Sequence, residues 1–349
     1  MDPREVNAVR RAACRDGTPP VVGPQSIGIA LTNACNLNCV TCWSYSALRR
    51  ELPRADWRRQ RLDREQLRGV FADACALNTE RVIFTGGGDP LAHPQFYEIA
   101  SDAREHGLKI TLISNLTLAR DREKLVALGI DTVLANFSSG DPDTYAAFHP
   151  NRAPDDFARL LETLRAVRAG GTALKLVFVV CAVNAHVLDK AVAIASDLRA
   201  SVQWKRVSVT AETASLDLSA QLRTELLAIM PRLQSLAEGA NVAANWDVFA
   251  AELRGETLAG EAVTETGCHA GHYYGRIGAN GDVRFCCNAN PELRVGNLSE
   301  NRFADLWHGA RYAVLRGKLR DGGFVSGCEQ CGKLDLNRRV WRELQTING

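Results

Sequence analysis

The chain has 349 residues, 46% of them hydrophobic, and a formal net charge of +2. Its length allows a substantial core, and its dispersed Lys and Arg residues give no basic surface for nucleic acid or membranes. The longest apolar run, LKLVFVVCAV (174–183), is too short to cross a bilayer, and the charged N-terminus has no signal-peptide core. We therefore expect a cytoplasmic protein whose 11 cysteines stay reduced and available as metal ligands.

After an expected N-terminal arm (1–25), short β-type runs alternate with amphipathic helical stretches as far as about residue 208. Six successive βα units predict a parallel sheet, and six are too few to close an eight-stranded barrel. We expect an α/β fold, an open partial (β/α)6 barrel with its active site at the carboxyl ends of the strands. The predicted strands are SIGIAL (26–31), ERVIFTG (80–86), LKITLIS (108–114), DTVLANF (131–137), ALKLVFVVC (173–181) and SVQWKRVSV (201–209).

The barrel is predicted to span residues 26–213 and to lead through a helical connector (214–260) into a small C-terminal α+β domain (261–349) that is rich in Cys, Gly and aromatic residues. We expect this domain to cap the mouth of the barrel.

The stretch ALTNACNLNCVTCW places Cys35, Cys39 and Cys42 on the loop that follows the first strand. A structural zinc site closes four ligands around the ion, and the neighbouring Asn residues and Trp43 offer no soft fourth ligand. Three thiolates on one loop better suit a four-iron cluster with one iron left open. Zinc, or thiols with no shared role, is the alternative.

The Cys-x-x-x-Cys-x-x-Cys spacing after the first strand of a βα series resembles the radical S-adenosylmethionine (SAM) superfamily, over nearly the whole chain. The resemblance implies that SAM chelates the open iron. The second strand is followed by Gly86, Gly87, Gly88, Asp89 and Pro90, similar to the family's Gly-Gly-Glu-Pro turn, with Asp in place of Glu. It implies that Gly87, Gly88, Asp89 and Pro90 receive the methionine end of SAM.

The family places further SAM contacts at the ends of later strands, which here carry Ser114, Asn115, Asn136, Ser138 and Ser139. We expect Asn115 and Ser138 to contact SAM, with turn or helix capping as the alternative. Many relatives have an aromatic residue just before the third Cys, where this chain has Thr41. Trp43 or a backbone contact is the expected substitute at the adenine.

The C-terminal region supplies Cys268, Cys286 or Cys287, Cys328 and Cys331 around a predicted hairpin with an NGD turn. This arrangement resembles the twitch domain, the shortened form of the SPASM extension of radical SAM enzymes. It implies one auxiliary four-iron cluster held by four thiolates, with Cys286 as the expected hairpin ligand. A structural zinc ion is the alternative.

Other candidate residues have a weaker basis. Cys181 or Cys287 is a candidate hydrogen donor to a substrate radical. The alternative is that Cys181 only packs in the core and that Cys287 only adjoins a cluster ligand. Arg206 and Glu212, near the end of the sixth strand, are candidate substrate contacts or simply solvated charges.

The family resemblance implies an enzyme that reductively cleaves SAM to a 5'-deoxyadenosyl radical, with a flavodoxin or ferredoxin as the reducing partner. The single auxiliary cluster resembles that of aminocyclitol dehydrogenases. We therefore expect a sugar-like or aminocyclitol-type small metabolite, which is oxidised, epimerised, dehydrated or decarboxylated in natural-product or antibiotic biosynthesis.

Two alternatives stay open. The first is epimerisation or cross-linking of a ribosomally synthesised peptide, for which the N-terminal 25 residues are too few to form a leader-binding domain in cis. The second is a non-catalytic iron-sulfur or zinc protein.

Overall fold

The computed structural model describes residues 1–256 and 263–345. Within these ranges a sheet of nine strands forms the centre of the molecule. Its first six strands are parallel and lie in the order of the chain, as the sequence predicts, with the last ending three residues early. They are β1 (Ser26–Ala30), β2 (Arg81–Thr85), β3 (Lys109–Ser114), β4 (Thr132–Asn136), β5 (Ala173–Val180) and β6 (Ser201–Arg206).

Helices precede and follow the strands. In chain order the first eight are α1 (Pro3–Asp16), α2 (Ala55–Arg58), α3 (Arg64–Ala76), α4 (Phe96–Glu105), α5 (Arg122–Ala127), α6 (Pro142–Phe148), α7 (Asp156–Ala169) and α8 (Leu188–Asp197). The connector forms α9 (Ala220–Gly239) and α10 (Trp246–Arg254). No helix in the described ranges is long and apolar enough to span a membrane.

The C-terminal region continues the same sheet. Strand β7 (Tyr274–Ile277) pairs in parallel with β1, and β8 (Asp282–Arg284) and β9 (Arg294–Asn297) follow in antiparallel order. The predicted hairpin is therefore confirmed, and it makes β1 an interior strand. The helices of this region are α11 (Val263–Thr266), α12 (Ala270–Tyr273), α13 (Phe303–His308), α14 (Ala310–Arg320) and α15 (Leu334–Gln345).

The N-terminal arm is a helix docked on the C-terminal region. Helix α1 begins with a capping box, in which the Asp2 side chain accepts from the backbone and the Glu5 side chain reaches back to Asp2. The Arg10 side chain donates to the Gly23 carbonyl at 2.9 and 3.1 Å, and Cys14 Sγ lies 3.3 Å from His269 Nδ1. The first contact fixes α1 to the chain before β1, and the second joins α1 to the C-terminal region.

An aromatic cluster fixes the C-terminal helices to the sheet. The fully buried Trp307 stacks on Phe303 and meets Tyr312 edge-on at a centroid distance of 4.7 Å. The guanidinium of Arg316 lies 4.4 Å from the Trp307 ring centroid, and the indole N–H donates to the Val22 carbonyl at 3.0 Å. Trp307 therefore connects the chain before β1 with the C-terminal helices.

We expect Trp307→Ala to lower the free energy of unfolding by about 3–5 kcal/mol, because it removes a fully buried indole and its hydrogen bond. The matched change is Val314→Ala on α14, whose side chain is 61% exposed, and it should alter stability by less than about 0.5 kcal/mol. Chemical denaturation of both variants measures the difference. A Trp307→Ala protein as stable as the wild type would contradict this role.

Candidate active site and auxiliary cysteine site

The three clustered cysteines lie on the loop that leaves the carboxyl end of β1. Backbone N–H groups of Leu37 and Tyr45 donate to the sulfurs of Cys35 and Cys42 at 3.5 and 3.2 Å. Cys39 interacts electrostatically with both other thiols, so the fold brings all three together. Burial raises the pKa of Cys35 to about 11 and that of Cys39 further. Binding of iron at these thiols would therefore release protons.

The glycine turn after β2 packs directly on this loop. Gly88 N–H donates to the Thr32 carbonyl at 3.2 Å, and Asp89 N–H donates to the Ala34 carbonyl at 2.9 Å. A Cβ at Gly88 would lie 1.9 Å from the Ala34 carbonyl oxygen. Glycine is therefore required here so that the two backbones can approach.

The carboxylate of Asp89 binds the end of the next strand. It is 3% exposed and accepts from Leu91 N–H at 2.9 Å, Ser114 Oγ at 2.9 Å and Asn115 N–H at 2.8 Å. Burial raises the pKa of Asp89, and these hydrogen bonds partly oppose that shift. Asp89 thus joins the glycine turn to β3 and caps the short 3-10 helix that starts at Pro90.

Asn115 makes the turn-capping contact named above as the alternative to SAM binding, whereas Ser138 makes a contact with β5. Asn115 Oδ1 accepts from Thr117 N–H at 2.9 Å, and its amide donates to Asn36 Oδ1 at 3.3 Å. Ser138 has a left-handed backbone, with φ 43°, and its Oγ accepts from Val179 N–H at 3.0 Å. By contrast, the buried Ser139 hydroxyl has no hydrogen-bond partner in the described part of the chain.

The aromatic residue at the glycine turn is Trp57, which the sequence analysis missed. Trp43 is 72% exposed. A Cβ at Gly87 would lie 2.9 Å from the Trp57 ring, and Asn33 Nδ2 donates to the Trp57 carbonyl at 3.1 Å. The sequence indicates little about the position of Trp57, because this residue stands in the Arg-rich run RADWRRQR, which is typical of an exposed helix face.

An apolar cluster lies beside Cys39 and contains Cys181. Val40, Phe148 and Cys181 are buried together there, and Cys39 packs against them. Cys181 is fully buried, and burial raises the pKa of its thiol to about 11. The nearby Tyr145 hydroxyl, on a side chain 1% exposed, has no hydrogen-bond partner in the described ranges. Tyr145 stands in no sequence motif that indicates a ligand contact, so sequence reasoning missed it.

Arg206 and Glu212 both have partners within the protein. Arg206 forms an ion pair with Asp217 at 2.9 Å. Glu212 accepts from Arg50 N–H at 3.1 Å and lies 3.5 Å from the Arg49 guanidinium. Glu212 thus connects the segment after the cysteine loop to the segment after β6.

The auxiliary cysteines lie around the start of the hairpin. Cys268 interacts electrostatically with Cys328 and Cys331, and Cys286 does so with Cys268. The adjacent Cys286 thiol lowers the pKa of Cys287. Five thiols therefore lie in this region, and either Cys286 or Cys287 can be the fourth ligand of the auxiliary cluster.

The position of this site differs from the expected cap over the barrel mouth. Cys268 precedes β7, which runs parallel to β1, and Cys286 follows β8, which runs antiparallel to β7. Both residues consequently lie at the edge of the sheet where β1 begins. The loop with Cys35 leaves β1 at the opposite edge.

No group of three or more His, Cys, Asp or Glu side chains in residues 1–256 and 263–345 has the spacing for a metal ion. The donor chemistry nevertheless fits iron-sulfur clusters, because soft thiols are grouped on one loop and around one hairpin. The buried Ser139 and Tyr145 hydroxyls, which lack partners in the described ranges, are groups that a bound cofactor would satisfy.

The fold and these two cysteine sites define an open α/β-barrel enzyme with iron-sulfur centres. The model of the radical SAM superfamily matches residues 29–181, and that of the SPASM iron-sulfur cluster-binding domain matches residues 268–332. The chain carries a radical SAM domain followed by a C-terminal SPASM domain. It is an enzyme that binds SAM and a four-iron cluster, and its SPASM domain binds auxiliary iron-sulfur clusters. The expected family, fold class and cofactors are thereby confirmed.

Relatives of this chain have different activities. The AdoMet-dependent heme synthase of Methanosarcina barkeri is 26% identical over 336 residues, 88% of each chain. The PqqA peptide cyclase of Ruegeria pomeroyi is 26% identical over 337 residues, 91% of this chain and 82% of that one. The fold is similar to that of Streptococcus suis SuiB bound to S-adenosylmethionine, with a TM-score of 0.64 and 16% identity over 90% of this chain and 73% of that one.

We expect Gly88→Ala to reduce 5'-deoxyadenosine formation about 100-fold, because the new methyl group displaces the backbone of the cysteine loop. The matched change is Gly69→Ala on α3, where a Cβ meets nothing within 4 Å, and it should retain activity. Anaerobic assays with both reconstituted proteins test this. Equal activity of the two variants would contradict the close approach.

We expect Asp89→Glu, the residue typical of the family, to lower the free energy of unfolding by about 1–3 kcal/mol. The extra methylene has no room, and the three donors are aimed at the shorter carboxylate. Asp247→Glu, the same change at an exposed position on α10, should cost less than about 0.5 kcal/mol. Chemical denaturation curves measure the free energy of unfolding of both variants. An Asp89→Glu protein more stable than the wild type would show that the site accommodates the longer side chain.

Proposed function

We propose that this enzyme modifies a ribosomally synthesised peptide by radical chemistry, through cross-linking or epimerisation. The observation that carries the proposal is the whole-length similarity to a PqqA peptide cyclase, 91% of this chain. It favours the peptide over the sugar-like or aminocyclitol substrate expected from the cysteine count. The reductant in this proposal is a flavodoxin or ferredoxin.

In the proposed mechanism Cys35, Cys39 and Cys42 hold the catalytic cluster. With SAM, that cluster would supply the one-electron chemistry that starts hydrogen abstraction from the substrate. The half-buried backbone of Gly87 and Gly88 would receive the methionine end of SAM, and Asp89 orients that turn through its contacts with β3.

Other residues near the cysteine loop would contact the cofactor or substrate, or shield them from water. The Ser139 and Tyr145 hydroxyls are donors for SAM or substrate, because in the described ranges neither has a partner in the protein. The apolar side chains around Val40 and Phe148 exclude water from a reactive radical. Trp57 is a better-placed contact for the cofactor than the exposed Trp43. Of the two candidate hydrogen donors, Cys181 is buried beside Cys39, whereas the exposed Cys287 lies at the opposite end of β1 from the cluster loop.

A heme-forming reaction is the second candidate. The heme synthase relative matches 88% of both chains. Production of heme from a porphyrin precursor by the reconstituted enzyme would support it over the peptide reaction.

We expect replacement of Cys35, Cys39 and Cys42 by Ala to remove about four irons and abolish SAM cleavage. Replacement of Cys328 and Cys331 should remove only the auxiliary iron, and replacement of the exposed Cys75 should change neither iron content nor SAM cleavage.

The ligand on the hairpin is identified by two single variants. Cys286→Ala should lose auxiliary iron while Cys287→Ala keeps it, and the reverse result would make Cys287 the ligand. Iron content and deoxyadenosine release are the measurements. SAM cleavage by the first triple variant would exclude the proposed cluster loop.

The peptide proposal is tested with a short peptide encoded beside this gene, prepared with deuterium throughout. We expect deuterium to appear in 5'-deoxyadenosine and the peptide mass to change, because the radical abstracts from a C–H bond of the substrate. Unlabelled aminocyclitols serve as competitors. SAM cleavage without transfer of deuterium, together with turnover of an aminocyclitol, would overturn the peptide assignment.

A further inference from the structure

A cavity of about 390 Å³ lies beside the cysteine loop, between the segment after β3 and helix α7. The buried side chains of Leu116, Ala119 and Leu160 line it. The glycine turn (86–90) and Ser138 are not among its lining residues. The cavity is therefore separate from the turn that is assigned to SAM, and its volume is that of a small-ligand site.

The walls of the cavity are strongly cationic. Arg120, Arg122, Arg152 and Arg159 line it, with Asp156 as the acidic side chain among them. Arginine is the side chain best suited to hold carboxylate and phosphate groups, because its planar fork donates two parallel hydrogen bonds.

Two of these arginines are held in place by the protein. Arg122 donates to Glu162 at 2.8 Å and to Thr163 Oγ1 at 3.1 Å. Arg159 donates to Asp156 Oδ1 at 2.7 Å. Fixed side chains lose less conformational entropy when a ligand binds.

The other two have hydrogen-bonding capacity left over. Arg152 Nε is buried and has no hydrogen-bond partner in the described part of the chain. For the guanidinium of the exposed Arg120, residues 1–256 and 263–345 provide no hydrogen bond or ion pair. Leaving a buried cationic donor without a partner is costly, and an anion in the cavity removes that cost.

The cavity shares a wall with the cysteine loop. Arg152 Nη2 donates to the Asn36 carbonyl at 3.3 Å, and Asn36 Nδ2 donates to Thr117 Oγ1 at 2.7 Å. Asn36 directly follows Cys35. A ligand held here lies next to the cluster loop without reaching the glycine turn.

We propose that this cavity is a second ligand site, which binds a carboxylate or phosphate group. The group belongs to a small anionic metabolite or to an acidic side chain of a peptide. The proposal goes beyond the peptide-modifying function and holds whichever substrate the enzyme takes.

Calorimetric titration of the anaerobically reconstituted enzyme tests the site, with pyrophosphate, citrate and a hexaglutamate peptide as probes at constant ionic strength. We expect saturable binding of at least one probe, weakened about tenfold by Arg120→Gln and by Arg152→Gln, since each removes a charged donor. Arg232→Gln, the same change at an exposed position on α9, should leave the affinity unchanged. Pyrophosphate as the best probe identifies a phosphate ligand, citrate a small carboxylate, and hexaglutamate a peptide.

Arg120→Gln breaks no contact within the described chain, so its melting temperature should match that of the wild type. Three results would overturn the proposal: no saturable binding of any probe, equal weakening by Arg232→Gln, or competition between the bound probe and SAM. None of them affects the deuterium-transfer test of the peptide function.

Discussion

The active site depends on the approach of two backbone segments. Gly88 and Asp89 donate from the turn after β2 to the Thr32 and Ala34 carbonyls at the start of the cysteine loop. These two hydrogen bonds fix the start of the cysteine loop to the turn after β2. Asp89 extends the connection to β3 through Ser114 and Asn115. The cysteine loop, the glycine turn and the third strand are consequently joined by a continuous set of hydrogen bonds.

The features predicted correctly from the sequence are local in the chain. The six parallel strands are apolar runs separated by amphipathic helices, and the glycine turn is recognisable because its residues are consecutive. The pairing of β7 with β1 joins segments about 250 residues apart, and no local pattern encodes it. The positions of Trp57 and Tyr145 are equally non-local, since tertiary contacts alone bring them to the cysteine loop.

The substrate is the feature least determined by sequence patterns. The cysteine count of the C-terminal region suggested an aminocyclitol enzyme, but cysteines report on clusters rather than on the molecule that is transformed. The side chains that contact a substrate come from several strand ends and loops, and many here, including Arg206 and Glu212, are paired within the protein. Whole-chain similarity to named enzymes is therefore the better guide to substrate class.

The parallel pairing of β7 with β1 also restricts how the two iron-sulfur centres can cooperate. Their cysteines lie at opposite ends of β1, whose five residues span about 17 Å. A substrate that reached both cysteine sites at once would have to be extended over about that distance. An electron exchanged between the two sites would have to cross a comparable distance. The auxiliary centre is thus suited to long-range redox exchange or to holding the chain ends together, rather than to direct contact with the reacting carbon.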